Sequence, residues 1–374
     1  MTAPGPGRVR AAVIEEVAGE FEVQELELRE PEAGEVVVRL SATALCRSDA
    51  HVALTGEGIR FPAVLGHEGA GIIERVGRGS RHQPGTAVVL SWTPRCGRCP
   101  RCREGRPQLC QELSTCPSGG CLSRGDVIMG TYMGLGCLAE AIVVPDACAV
   151  PVPEGLDPEH LCMLGCGVMT GFGAAVNAAG ATVGSSVAVV GCGAVGLAAI
   201  QAARIAGARL VIAVDPVGSR RVLAGQLGAQ HTIDPAAVDP FAEILAISGG
   251  GVDGVIEATG EPEVMRRILE AVHPGGTAVV VGLPPLATTL EVWPFHLLLE
   301  KRLTGSIYGS ADPQRDFPVL ADLYSQGRLH LAELTGSRYP LEDVNEAMAD
   351  LRDHRAPRPI VTFEKSEPAG HSGA

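Results

Sequence analysis

The stretch Cys96 to Cys110, CGRCPRCREGRPQLC, sets four cysteines at gaps of two, two and seven residues. The chain holds 12 cysteines in all. Its opening, MTAPGPGRVR, has no apolar core of the kind a secretion signal needs. Together these features predict a cytoplasmic, reducing setting, where metal binding or catalysis outweighs disulfide formation. Interlocked Cys-x-x-Cys pairs cannot all be bridged without severe strain. Four thiolates can instead surround one Zn²⁺ tetrahedrally at ~2.3 Å. Such a closed cage of Cys96, Cys99, Cys102 and Cys110 leaves no open position, so the expectation is a structural zinc and a reaction centre elsewhere.

A second chemical signal is GCGAVG at Gly191–Gly196. It follows the strand residues Val187–Val190, opens an apolar helix and precedes a second strand, Leu210–Val214, that ends at Asp215. In such a βαβ unit Gly191 makes the tight turn and Gly193 lets backbone approach a pyrophosphate. Gly196 allows close packing of helix on strand. The helix start at Ala194 and Val195 offers N–H groups and positive potential to phosphates. Asp215 would accept from ribose hydroxyls and repel a 2′-phosphate, which predicts NAD over NADP. Arg220 and Arg221 follow closely and could soften that preference.

ALCRSDAH (Ala44–His51) and LGHEGAG (Leu65–Gly71) concentrate polar groups at the edges of apolar strands. Cys46, His67 and Glu68 are metal-ligand types, and LGCG (Leu164–Gly167) adds Cys166. Two thiolates and one imidazole would form an open zinc site, its fourth position left for water or substrate.

These residues need elements to position them. At 374 residues the chain suits two domains. Short β-branched runs, Glu35–Leu45, Gly69–Gly77 and Thr86–Trp92, predict a mostly β first domain. The segment Cys110–Gly136 shows no pattern and reads as a long loop. After Pro153, alternating strands and helices predict a parallel, doubly wound sheet. Helical patterns at Phe317–Gln326 and Leu341–Leu351 lead to a closing strand at Arg358–Phe363. The net charge of −13 argues against nonspecific nucleic-acid binding. No apolar run approaches the ~20 residues needed to span a bilayer. The Pro/Gly/Ser-rich ends are expected to be disordered.

The sequence resembles the zinc-dependent alcohol dehydrogenases of the medium-chain dehydrogenase/reductase superfamily, from about Val9 to Phe363. CRSD-x-H, GHE-x-AG, the lobe spacing, the GCG entry, the glycine turn with its acid and the closing PRPIVTF carry the likeness. The resemblance implies an α/β chain: a GroES-like, mostly β catalytic domain (1–167, with the zinc lobe at about 94–112) and a Rossmann NAD-binding domain (168–307). Residues 308–374 would return to the first domain and end in a disordered tail. It further implies two zincs per chain, with Cys46, His67 and Cys166 holding the catalytic ion. Glu68 stands behind that metal, Asp49 orients the ligand histidine, and Ser48 and His51 relay the proton. Arg47 and Arg358 clamp the cofactor's pyrophosphate. Trp92, Leu138, Leu283 and Ile307 line the substrate pocket, and the protein is a homodimer or homotetramer.

The implied reaction moves a hydride between a primary alcohol or aldehyde and NAD, in a cleft between the domains. Zinc polarises the substrate oxygen, and His51 passes the proton to solvent. The segments LGCGVM and Leu323–Leu329 also resemble a thiol-dependent formaldehyde dehydrogenase branch. The glutathione branch carries an arginine after the last lobe cysteine, where this chain has Ser114. A third reading is a zinc-dependent non-redox lyase on the same scaffold. Cys116, Cys121 and Cys137 lie outside the zinc sets; Cys116 and Cys121 border the channel in the family and read as small filler.

Overall fold

The residues EVVVRLSATA form the strand Glu35–Ala44, in which Val36, Val37 and Val38 are wholly buried. Branching at Cβ stiffens valine in the extended form. In the computed structural model, which describes residues 7–112, 120–285, 287–353 and 358–363, this strand organises a seven-stranded sheet. It pairs antiparallel with Gly69–Val76, with Ala141–Pro145 and, near its C-terminal end, with Arg358–Thr362. Gly71 is needed at that crossing, because a Cβ there would stand 2.1 Å from the Arg39 carbonyl oxygen. A second, six-stranded sheet runs Val127–Ile128, Leu122–Arg124, Phe21–Leu28, Gly7–Ile14, Ala63–Val64, Gly130–Thr131.

Three of those short strands fall inside Cys110–Gly136, which the sequence reads as loop; that reading is corrected for residues 122–131. The pairing is decided at a distance: Leu122 and Ser123 meet Leu28 and Glu27 of an earlier strand, and Leu122 is wholly buried. Two- and three-residue strands leave no period to detect. Ser114, Cys116 and most of both chain ends lie outside the described residues.

The other sheet is all parallel. Its order is His231–Ile233, Leu210–Val214, Ser186–Val190, Val252–Glu257, Val272–Val280, Arg302–Gly305. Numbered within the sheet this is 3-2-1-4-5-6, the doubly wound order. Aliphatic residues fill its core, with Phe241 as the aromatic among Ile212, Val214, Val255, Ile268 and Ala278. The expected α/β class is therefore present, with a mostly antiparallel β part and a Rossmann-type part.

Contacts divide the chain into one unit of Met1–Pro94, Leu113–Gly165 and Thr335–Ala374, and another of Arg95–Glu112 and Cys166–Leu334. The second unit thus extends past residue 307, where the sequence reading ends the cofactor domain, and takes in the cysteine lobe. Side chains far apart in sequence fix both departures. Gln201 grips the His330 backbone twice, donating to its oxygen at 3.0 Å and accepting from its nitrogen at 2.7 Å. Arg95 at the base of the lobe pairs with Asp312 at 2.6 Å. Among the described residues no single helix is long and apolar enough to cross a membrane.

Candidate active site

Cys46 caps the N-terminus of the helix Arg47–Thr55. Asp49, at the third helical position, accepts the Cys46 N–H through Oδ2 at 2.9 Å, one half of a capping box. Its other oxygen accepts the Gly66 N–H at 3.0 Å and meets His67 Nδ1 at 3.0 Å. A carboxylate only accepts, so Nδ1 carries a hydrogen and Nε2 is the ring nitrogen left for a metal, which would displace any proton there. Gly66 sits at φ +88°, where a Cβ would be 2.9 Å from the Leu138 nitrogen. Glycine is therefore the residue that lets the chain turn and deliver His67. The Tyr132 ring packs edge-on against His67, centroids 5.2 Å apart; it lies in the span read as loop, and sequence reasoning missed it.

The segment Cys162–Ala179 is helical but broken near its start. A 3₁₀ turn, Cys162–Gly165, gives way to the helix Gly167–Gly173, and Cys166 between them is non-helical (φ −150°, ψ −73°). Gly165 lies against the Glu68 backbone, where a Cβ would stand 3.1 Å from the Glu68 Cα. That close approach carries the next residue to the metal-ligand group. One ligand atom each of Cys46, His67, Glu68 and Cys166 falls within 4.8 Å of the others.

Glu68 is wholly buried and ion-paired through Oε1 to Arg358 Nη1 at 2.5 Å. Its Oε2 is buried without a hydrogen-bond partner, an unsatisfied acceptor that a cation beside it would satisfy. Burial pushes the Glu68 carboxyl up, to about 8, against the pull of Arg358. For His67 burial disfavours charge, but the Asp49 carboxylate outweighs it and holds the ring's pKa well above the ordinary value. Arg358, read as a pyrophosphate clamp, is buried, and its guanidinium reaches the Leu45 carbonyl at 3.3 Å and Cys46 Sγ at 3.8 Å.

In the lobe, Cys96 Sγ lies 3.9 Å from Cys102 Sγ and Cys99 Sγ lies 3.9 Å from Cys110 Sγ. A tetrahedron with ~2.3 Å zinc–sulfur bonds has edges of about 3.8 Å, so the four sulfurs fit the ion. Backbone N–H groups of Gln111 and Cys102 hold Cys99 down, at about 6, while burial and the neighbouring thiols push Cys102 up, to about 12, so thiolate character falls first on Cys99.

The three glycines of the turn differ in what a side chain would meet. Gly191 has φ +98°, Gly193 has open space where a Cβ would stand, and a Cβ on Gly196 would come within 1.8 Å of the Gly191 oxygen. The helix Ala194–Ile205 starts without a side-chain cap, leaving its first N–H groups for a ligand. Asp215 accepts from Cys192 N and Val217 N, each at 2.8 Å. Arg220 stands 3.9 Å from it, while Arg221 is held by Asp234 at 2.8 Å and by the carbonyls of Asp215 and Pro216.

Regions 32–154 and 194–326 match the family models described as alcohol dehydrogenase GroES-like domain and zinc-binding dehydrogenase. The chain is 37% identical to an NDMA-dependent alcohol dehydrogenase of Amycolatopsis methanolica, covering 95% of this chain and 98% of that protein. It belongs to the zinc-binding alcohol dehydrogenases. An S-(hydroxymethyl)glutathione dehydrogenase of Synechocystis is 34% identical over 95% of this chain and 99% of its own. The benzyl alcohol dehydrogenase of Acinetobacter calcoaceticus superposes with a TM-score of 0.89 at 36% identity, covering 96% of this chain and all of that one.

The remaining expected residues of this dehydrogenase are scattered in character. Arg47 is exposed and Ser48 half-buried on the first helical turn. His51, one turn on, is bonded through Nε2 to Glu57 at 3.0 Å, a partner the sequence did not reveal. Of the residues expected around substrate, Trp92 is 7% exposed and Leu138 wholly buried, whereas Leu283 and Ile307 are 63% and 52% exposed. Cys121 and Cys137 are buried. Burial also pushes Cys192 up, to about 12, so that thiol is inert at neutral pH.

Proposed function

We propose that this dehydrogenase is an NAD-linked, zinc-dependent oxidoreductase of primary alcohols and aldehydes. The observation that carries the reading is the group Cys46, His67, Glu68 and Cys166, with Asp49 holding His67 at Nδ1 so that Nε2 is the nitrogen left for the ion. Cys46, His67 and Cys166 hold the catalytic ion, and Cys96, Cys99, Cys102 and Cys110 the structural one. Bound zinc supplies a Lewis acid for the substrate oxygen, and bound NAD supplies the hydride acceptor or donor. The two thiolates offset the ion's formal charge, and Arg358 offsets Glu68. Ser48 and His51, at i and i+3, share a helix face and carry the hydroxyl proton outward. Gly191, Gly193 and Gly196 shape the phosphate turn, and Ala194 and Val195 present N–H groups to it. Asp215 accepts from the ribose, with Arg47, Arg220 and Arg358 supplying positive charge. Trp92, Leu138, Leu283 and Ile307 are assigned to the substrate surround.

The protein is proposed to work in the cytoplasm as a homodimer or homotetramer. The relative named for a glutathione adduct supports a second reading, oxidation of a thiol–formaldehyde adduct. NADH absorbance should be followed with NAD and a panel of primary alcohols, then with formaldehyde and low-molecular-weight thiols. NADH from alcohols without thiol is the expected result. A strict thiol requirement would transfer the assignment to the second reading, and turnover without any NADH would contradict both.

A further inference from the structure

We infer that Glu57 is a positioning residue for the proton relay: its carboxylate fixes the tautomer and rotation of the His51 ring. This rests on the reading of Ser48 and His51 as proton carriers. The helix bearing both ends at Gly56, which adopts φ 72° and returns its N–H to the Val52 carbonyl at 2.8 Å. Such a left-handed cap reverses the chain and sets Glu57 beside the last turn. Thr55 clasps both sides of the pair: its hydroxyl donates to the His51 carbonyl at 2.9 Å and accepts the Glu57 N–H at 3.3 Å. Glu57 Oε2 then meets His51 Nε2 at 3.0 Å.

A carboxylate only accepts, so the neutral ring carries its hydrogen on Nε2 and leaves Nδ1 as the base. The hydroxyl proton, passed along the relay, bonds to the Nδ1 lone pair and yields an imidazolium facing a carboxylate. Loss of that proton to bulk water restores the neutral ring. The pair is 39% and 43% exposed, so it adds little to stability; its effect lies in the ring's orientation. The other charged groups about this helix are disposed otherwise. Arg47 is one turn earlier, Asp49 is turned onto His67, and Glu20 and Arg352 line a recess with Ala50, Ala53 and Leu54.

The test compares Glu57→Ala, Glu57→Gln and His51→Gln in the zinc-loaded enzyme, measuring kcat, KM and zinc content across pH. Glu57→Ala is expected to lower kcat for alcohol oxidation about three- to tenfold near neutrality, with the deficit closing towards about pH 10 as hydroxide substitutes. KM and zinc content should stay at parent values. Glu57→Gln, which retains an acceptor of the same length, should recover most of the rate. A Glu57→Ala enzyme equal to the parent, beside a slowed His51→Gln enzyme, would overturn the inference and leave the relay standing. So would a deficit equal at every pH and accompanied by zinc loss, which marks a structural role. A His51→Gln enzyme equal to the parent at every pH would remove the relay itself.

Discussion

The cysteine lobe draws its four sulfurs from one short excursion, residues 96–110, whereas the second ligand group draws on residues 46, 67, 68 and 166. In the lobe the turns themselves place the ligands, and sulfur is the donor at every corner. The second group has two sulfurs, one ring nitrogen and a buried carboxylate, each delivered by a separate device. A helix cap presents Cys46, a left-handed glycine turn presents His67, and a broken helix presents Cys166. Around it lie Asp49, Arg358 and Tyr132, supports that the lobe does not need. A cage of identical ligands closed by local turns suits permanence. A mixed group held by distant elements and tuned by buried charge suits a coordination sphere with room for substrate.

The contrast can be broken at its strongest point first. Cys46→Ser should reduce alcohol oxidation by at least ~10³-fold, since a Lewis acid contributes several kcal/mol at the substrate oxygen. Thermal unfolding should move by only a few degrees. Asp49→Asn keeps the shape but not the charge behind His67. It should weaken zinc at the second group by about 10–100-fold, read by chelator competition, with the lobe's zinc retained.

Cys99→Ser inverts the pattern. It should lower thermal stability markedly, because structural zinc stabilises the fold directly. Activity per folded, zinc-loaded molecule should change far less than in Cys46→Ser. Asp215→Gly touches neither metal; it should shift the NAD to NADP preference by roughly tenfold or more, the scale of one lost charged hydrogen bond. Parallel kcat/KM measurements with both cofactors read this out, and a parent that already prefers NADP would move the assignment to Arg220.

The smallest effect concerns His273 and Asp253, paired at 2.9 Å at the starts of two neighbouring interior strands of the parallel sheet. Burial opposes charge on Asp253, yet the Ser186 hydroxyl and His273 hold it down, at about 2. The bond to Asp253 raises His273. The depressed acid stabilises the fold above its unfolded pKa of about 3.9, and this is lost as pH falls towards about 2. The raised histidine contributes fully below about 6.5 and loses its share as pH rises through its folded value. His273→Gln should therefore cost most between about pH 4 and 6.5, and less than about 1 kcal/mol for so exposed a pair.

Sequence reading succeeds where the determinant is local. The lobe's spacing and the glycine turn each lie within one short run, and the steric need at Gly196 is met five residues away at Gly191. It is silent where the partner is distant. Nothing near Gln201 announces His330, so the end of the second unit is set by a contact invisible in the pattern. Arg358 pairs with Glu68, 290 residues earlier, and the short strands at 122–131 depend on Leu28 and Pro62. Even Glu57, six residues from His51, escaped notice, because the pairing depends on the left-handed turn at Gly56.

Counting zinc in the purified enzyme and in Cys46→Ser, beside alcohol-dependent NADH formation, addresses the two-site account most directly. Two zincs per chain in the active parent are expected, falling to one in a folded Cys46→Ser enzyme that no longer forms NADH. An active parent with fewer than two zincs, or a Cys46→Ser enzyme that loses its zinc yet keeps its rate, would contradict the account.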